Sequence, residues 1–154
     1  MAFSMTSPMI KDGENIPPRF TQDAFNVSPA LIWEDLPSGT KSLALIVHDP
    51  DALRPGGFTH WVIFNIPASP NYLNECVLPR DCLPDGAIQG LNSAGANGYL
   101  GPAPPPGKPH HYHFTLYALD RKLMLPTSTD REALLEAMEG HTLGKVELVG
   151  LYQR

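Results

Sequence analysis

The sequence is poor in cysteine, poor in positive charge and without a long apolar run, and each shortage removes a class of function. Among 154 residues there are 11 Lys and Arg against 16 Asp and Glu, a formal net charge of −5. The basic residues are also scattered, so nothing resembles the electrostatic footprint of a DNA-binding, RNA-binding or anionic-membrane protein. No apolar stretch approaches the roughly 18 residues of a membrane span. The opening "MAFSMTSPMI" lacks the basic start and long apolar segment of an export signal, so a cytoplasmic protein is expected. The two cysteines, Cys76 and Cys82 in "ECVLPRDC", fit neither a C-x-x-C redox motif nor the paired knuckles of a zinc site, and two free thiols are expected. There is no G-x-S-x-G nucleophile elbow, and Ser93 in "LNSAG" has no strand-turn-helix context to activate it.

Proline and glycine, by contrast, are plentiful. Seventeen prolines and 13 glycines cut the chain into short apolar runs separated by turn chemistry, a pattern that favours β structure. The predicted strands are "ALIWEDL", "KSLALIVHD", "HWVIFNI", "AIQGLN", "HHYHFTLYALD" and "KVELVGLY", rich in Val, Ile, Leu, Tyr and Phe. One helix is predicted in "STDREALLEAMEGH", near Asp130 to Glu139, with acids in its first turn, Leu134, Leu135 and Met138 at helical spacing, and Gly140 beyond its end. Neither a repeat nor a linker interrupts residues 1–154, which read as one β-rich domain.

Side chains alternate along a strand, so phase locates candidate site residues. In "KSLALIVHD" both faces are apolar, which marks a central strand that carries Asp49 to the rim of the core. In "HWVIFNI" strict alternation aligns His60 with Val62, Phe64 and Ile66, with Trp61 and Ile63 opposite. In "HHYHFTLYALD" His110 and Tyr112 head the more apolar row, while His111 and His113 lie on the other face. Three strands therefore begin or end in Asp49, His60 and the His110/Tyr112 pair. Periodicity alone does not show that these residues converge.

His111 and His113, at i and i+2, have the spacing to chelate a metal, but no other His or Cys falls at a recognisable ligand spacing, and no metal or cofactor is expected. The segment "GPAPPPGKP" is no phosphate-binding loop. Pro109 stands where a Ser or Thr would bind magnesium, and prolines lack the amide hydrogens that cradle phosphate. Five prolines are better suited to a rigid pocket wall than to a polyproline ligand.

Taken together, "HDPDA" at His48 to Ala52, "FTHW" at Phe58 to Trp61 and "GYLGPAPPPGKPHHYHFTLYALD" resemble the signature regions of the phosphatidylethanolamine-binding protein (PEBP) or Raf kinase inhibitor family, in its bacterial and archaeal YbhB/YbcL-like branch. The likeness spans nearly the whole chain, from Ile16 to Tyr152. It implies a mainly β fold, two antiparallel sheets packed as a PEBP-like β-sandwich with one principal helix near the C-terminus. It also implies an anion-accepting cavity formed by Asp49, His60, Gly101, Pro102, His110 and Tyr112, with Asp51 and Phe58 beside it and the Gly101 amide among the donors. Two positions depart from the family pattern: Leu53 replaces a proline and His111 an arginine.

The expected function is the binding of a small phosphorylated or anionic ligand, phosphate or phosphorylethanolamine-like, with a kinase or protease as the partner that relatives imply and a homodimer compatible with the reading. Two alternatives stand beside it. One is a phosphoester hydrolase using the His/Asp cluster as acid and base. The other is a protease inhibitor or scaffold that acts independently of the pocket.

Overall fold

The computed structural model describes residues 2–154. Eight strands and one α-helix follow in the order β1 (Ser4–Thr6), β2 (Leu31–Glu34), β3 (Ser42–Asp49), β4 (Phe58–Ile66), β5 (Tyr72–Leu73), β6 (Ile88–Gln89), β7 (His110–Leu119), α1 (Arg131–Met138) and β8 (Thr142–Tyr152). They form two antiparallel sheets, one of three strands in the order β1-β2-β5 and one of five in the order β6-β4-β3-β7-β8.

The larger sheet is apolar on both faces because its central strand is. Leu43, Leu45 and Val47 of β3 join Phe114 and Leu116 of β7 and Trp33 of β2 in a core between the sheets. Ala44 and Ile46 point the other way and pack with Val62, Phe64, Leu134 and Met138 beneath α1. Burying a side chain of this size removes it from water at a gain of about 1.5–3 kcal/mol, so both faces of β3 hold it in the middle of the fold.

The helix starts where the sequence has an N-cap. Asp130 Oδ1 accepts from the Ala133 amide at 2.9 Å, a contact worth about 1 kcal/mol. Gly140, at φ +78°, follows its last turn. Only Ile88 and Gln89 of "AIQGLN" are strand, and two short strands, β1 and β5, lie outside the predicted set. β1 and β5 flank β2 to complete the smaller sheet.

Candidate functional site

Three strand ends of the large sheet meet at one edge of the inner core. Asp49 closes β3 and pairs with Phe58, the first residue of β4. His110 opens β7 and reaches Asp49 from the neighbouring strand. Asp49 is 2% exposed. Its Oδ1 accepts from the Asp51 amide at 2.8 Å, and its Oδ2 accepts from His110 Nδ1 at 2.6 Å. A buried carboxylate needs such partners, since leaving it unpaired costs several kcal/mol.

His60 lies between Phe58 and Tyr112, with ring centroids 4.7 and 5.1 Å away. Its Nδ1 faces the Leu100 carbonyl at 2.6 Å. A carbonyl only accepts, so Nδ1 carries the proton and Nε2 is left with a lone pair. Burial pushes the His60 pKa down to about 4, outweighing the opposing pull of the Leu100 carbonyl and of Asp49. The ring is therefore neutral at pH 7. Burial, and then the charge of Asp49, push the Tyr112 hydroxyl well above the usual phenol range, so it keeps its proton.

His60 reaches this place through a backbone irregularity that alternation does not anticipate. The β3–β4 register pairs Val47 with Trp61 but His48 with Thr59, so His60 is the extra residue of a bulge. A second irregularity, at Phe64 and Asn65, separates the Leu45–Ile63 and Leu43–Ile66 pairs, with Asn65 at φ +56°. Between the two, Val62 and Phe64 face α1, while Trp61 and Ile63 face the inner core. The expected row of His60, Val62, Phe64 and Ile66 is thus broken. His60 and Ile66 turn to the inner side, and Val62 and Phe64 turn away.

Asp49, Phe58, His60, His110 and Tyr112 line a cavity of about 140 Å³, closed by Gln22, Ala103 and Pro104. Hollows of about 470 and 400 Å³ exist elsewhere, but neither gathers this chemistry. Among the described residues no wholly buried side-chain nitrogen or oxygen lacks a partner. His60 Nε2 and His110 Nε2 have no protein partner and belong to residues that line the cavity, beside the Tyr112 hydroxyl, which the Asp49 carboxylate also engages. They are the groups a ligand would meet.

Other predicted members of the set stand behind it. Gly101 does not offer its amide, because that N–H already donates to Asn26 Oδ1 at 2.7 Å. A Cβ at Gly101 would lie 2.4 Å from the Phe20 carbonyl, which is why glycine is needed there. Gly101 and Pro102 instead accept through their carbonyls from the Gln22 side chain at 2.9 Å and the Gln22 amide at 3.0 Å, and so hold Gln22 at the mouth. Asp51 is half exposed and accepts from the amide and Nδ1 of His111, both at 2.8 Å. His111 lies on the far face of β7, and His113 beside it pairs with Glu147 at 3.1 Å. Each of the two histidines is thus engaged by its own carboxylate, and among the described residues no group of three metal-type ligands occurs. Cys76 and Cys82 are unbridged and exposed. Gln22, Ala103 and Pro104 were not anticipated at the cavity. The five prolines were the only hint, since a rigid segment after Gly101 needs something to wall.

The chain is similar to known proteins over nearly its whole length. The phosphatidylethanolamine-binding protein family model matches residues 6–153. A UPF0098 protein of Methanothermobacter thermautotrophicus is 52% identical over 143 residues, covering 93% of this chain and 93% of its own length. The UPF0098 protein YbcL of Escherichia coli is 39% identical, covering 99% of this chain and 88% of its own. The crystal structure of E. coli YbcL, described as a new member of the mammalian PEBP family, matches with a TM-score of 0.93 at 36% identity over 100% of this chain and 99% of that one. A PEBP homologue from Chlamydia trachomatis matches at 0.90 and 37% over 99% and 98%. With its fold, its ordered motifs and nearly its whole length in agreement, the chain belongs to the phosphatidylethanolamine-binding protein family.

Proposed function

We propose that this protein binds a small phosphoryl or related anionic ligand in the cavity of Asp49, His60, His110 and Tyr112. The observation that carries the reading is that two histidines with a ring nitrogen left without a protein partner, and Tyr112 beside them, line one 140 Å³ space. That space suits a headgroup or a free anion, not a drug-sized molecule, whose pockets run to roughly 300–1,000 Å³. The family name supports a phosphorylated headgroup as the ligand class. His110, with Nδ1 turned to Asp49, presents Nε2 as a donor whenever the ring is protonated, and such a charge-assisted bond is the stronger kind. Tyr112 adds a neutral O–H.

Isothermal titration with inorganic phosphate and with phosphorylethanolamine tests the reading. His110→Ala should weaken binding at least about tenfold, the loss of one hydrogen bond to a charged group, while His111→Ala, facing Asp51 outside the cavity, should change it by less than about twofold. Absence of binding, or equal losses in the two variants, overturns the assignment. The hydrolase reading finds no Ser, Thr or Cys nucleophile among the lining residues. Release of phosphate from a phosphomonoester in the same titration would restore it.

A further inference from the structure

The four polar groups of the cavity are not all donors, and their fixed polarity says more about the ligand than its charge does. His60 is locked with Nδ1–H on the Leu100 carbonyl at 2.6 Å, which leaves a lone pair on Nε2. That lone pair has no protein partner and is not sealed off. Tyr112 can offer its O–H, and His110, whose Nδ1–H remains with Asp49, offers Nε2–H when its ring is protonated. The wall is thus mixed, with two donors and an acceptor that cannot rotate into a donor.

We infer that the cavity selects an oxyanion that still carries a proton, a hydrogen phosphate or a phosphomonoester monoanion, whose P–OH donates to His60 Nε2 while its other oxygens accept from His110 and Tyr112. This rests on the phosphoryl reading above and specifies its chemistry. A fully deprotonated oxyanion such as sulfate sets an oxygen lone pair against that of His60, and an unmet buried polar atom costs more than a hydrogen bond gains. The same fixed geometry that accepts one ion therefore rejects its near isostere, as sites built to hydrogen-bond a hydroxyl reject analogues without one.

The charges around His60 favour the same choice. Asp49 faces it from β3, and His110 and Tyr112 from β7, while His48 acts on it only from the opposite face of β3. Arg154, past the end of β8, is the cation acting on Tyr112, and it is already paired with Asp23 at 2.7 Å. No guanidinium or ammonium lines the cavity, Arg54 lying outside it over the Phe58 ring, so a dianion would meet the Asp49 carboxylate with no cation of that kind in contact.

The test is a comparison of phosphate with sulfate by isothermal titration on the wild-type protein at one pH, near 6, where phosphate largely retains a proton. Holding pH fixed keeps the contribution of His110 the same for both anions. Phosphate should bind at least about tenfold more tightly than sulfate. In His60→Gln, whose amide can turn its N–H inward, the ratio should fall toward one through tighter sulfate binding. If wild type binds both anions equally, this inference is overturned and the phosphoryl reading stands. If neither anion binds, the reading falls and takes the inference with it. A His60→Gln protein that folds, binds phosphate and keeps the wild-type ratio overturns the role given to His60. If the variant does not fold, the wild-type ratio alone decides.

Discussion

Two hollows back onto each other across the ends of β3 and β4. His48 and Thr59 face the larger, of about 400 Å³, while Asp49, Phe58 and His60 face the smaller, of about 140 Å³. In the larger one His48, Thr59 and Asn92 are already spent on the protein, whereas Arg54 also lines it and lies over the Phe58 ring at 5.4 Å. His48 Nε2 donates to the Gly56 carbonyl at 2.8 Å, and its Nδ1 accepts from the Thr59 hydroxyl at 2.9 Å. The Thr59 amide donates to Ser93 Oγ at 2.8 Å, and Asn92 is bonded to Gly98, Ala94 and Ala96. Gly57 closes this arrangement at φ +80°, where a Cβ would lie 2.4 Å from the Asp49 carbonyl and 2.9 Å from His48 Nε2. These groups hold loops in place. In the smaller hollow the corresponding atoms are oriented by the backbone and then left open. Size does not distinguish a site from a fold-stabilising hollow here, whereas unspent polarity on the strands themselves does.

Acid acts on both hollows, since burial lowers the pKa of His48 as well as that of His60, but the large shift is at His60. In the unfolded chain His60 takes up a proton near 6.5, but in the folded protein not until about 4. Between those values the unfolded state binds more protons, so the stability that neutral His60 contributes is present above about 6.5 and is lost as pH falls toward about 4. The loss should amount to roughly 3 kcal/mol. Urea midpoints measured across this range should fall in wild type and fall much less in His60→Gln. Equal slopes would mean that the buried ring is not what makes the cavity acid-sensitive.

Next in size is the framework of the cavity. Asp49→Ala strands the Asp51 amide and His110 Nδ1, and should cost about 2 kcal/mol at neutral pH. The half-exposed Asp51→Ala should cost under about 1 kcal/mol. Denaturant unfolding of both variants checks this, and a reversed order would break the view that the smaller hollow is framed from Asp49.

The smallest effect belongs to the other hollow. Thr59→Val keeps the branched shape of the side chain but removes the donor to His48, at about 1 kcal/mol of stability. Phosphate affinity should stay within about twofold of wild type. A larger binding loss, measured by the same titration, would join the two hollows into one functional unit.

How much of this was legible in the sequence follows from where the backbone is regular. β3, β7 and α1 obey their periods, so Asp49, His110 and Tyr112 could be placed on the correct faces from alternation, and the helix from its cap and Gly140. His60 was picked out for a reason that does not hold, because a bulge inserts one residue and reverses the phase, and no residue type in "FTHWVIFNI" announces it. Asn65, at φ +56°, was the one local cue to the second irregularity. Gly101 carried a motif position but not the expected role, since its amide depends on Asn26, 75 residues away. Gln22 was invisible for the same reason. It reaches the cavity through the carbonyls of Gly101 and Pro102, and long-range pairing to backbone leaves no trace in residue spacing.

That reliance on the main chain bears on how the protein can change over time. His60 is held by the Leu100 carbonyl, Asp49 by the Asp51 amide and Gln22 by the Gly101 carbonyl. Every non-proline residue supplies the same amide and every residue the same carbonyl, so Leu100 and Asp51 can drift in identity without altering which way the site residues present their protons. Lineages can therefore diverge in the residues that surround the cavity and still inherit its polarity, so long as the chain keeps its path.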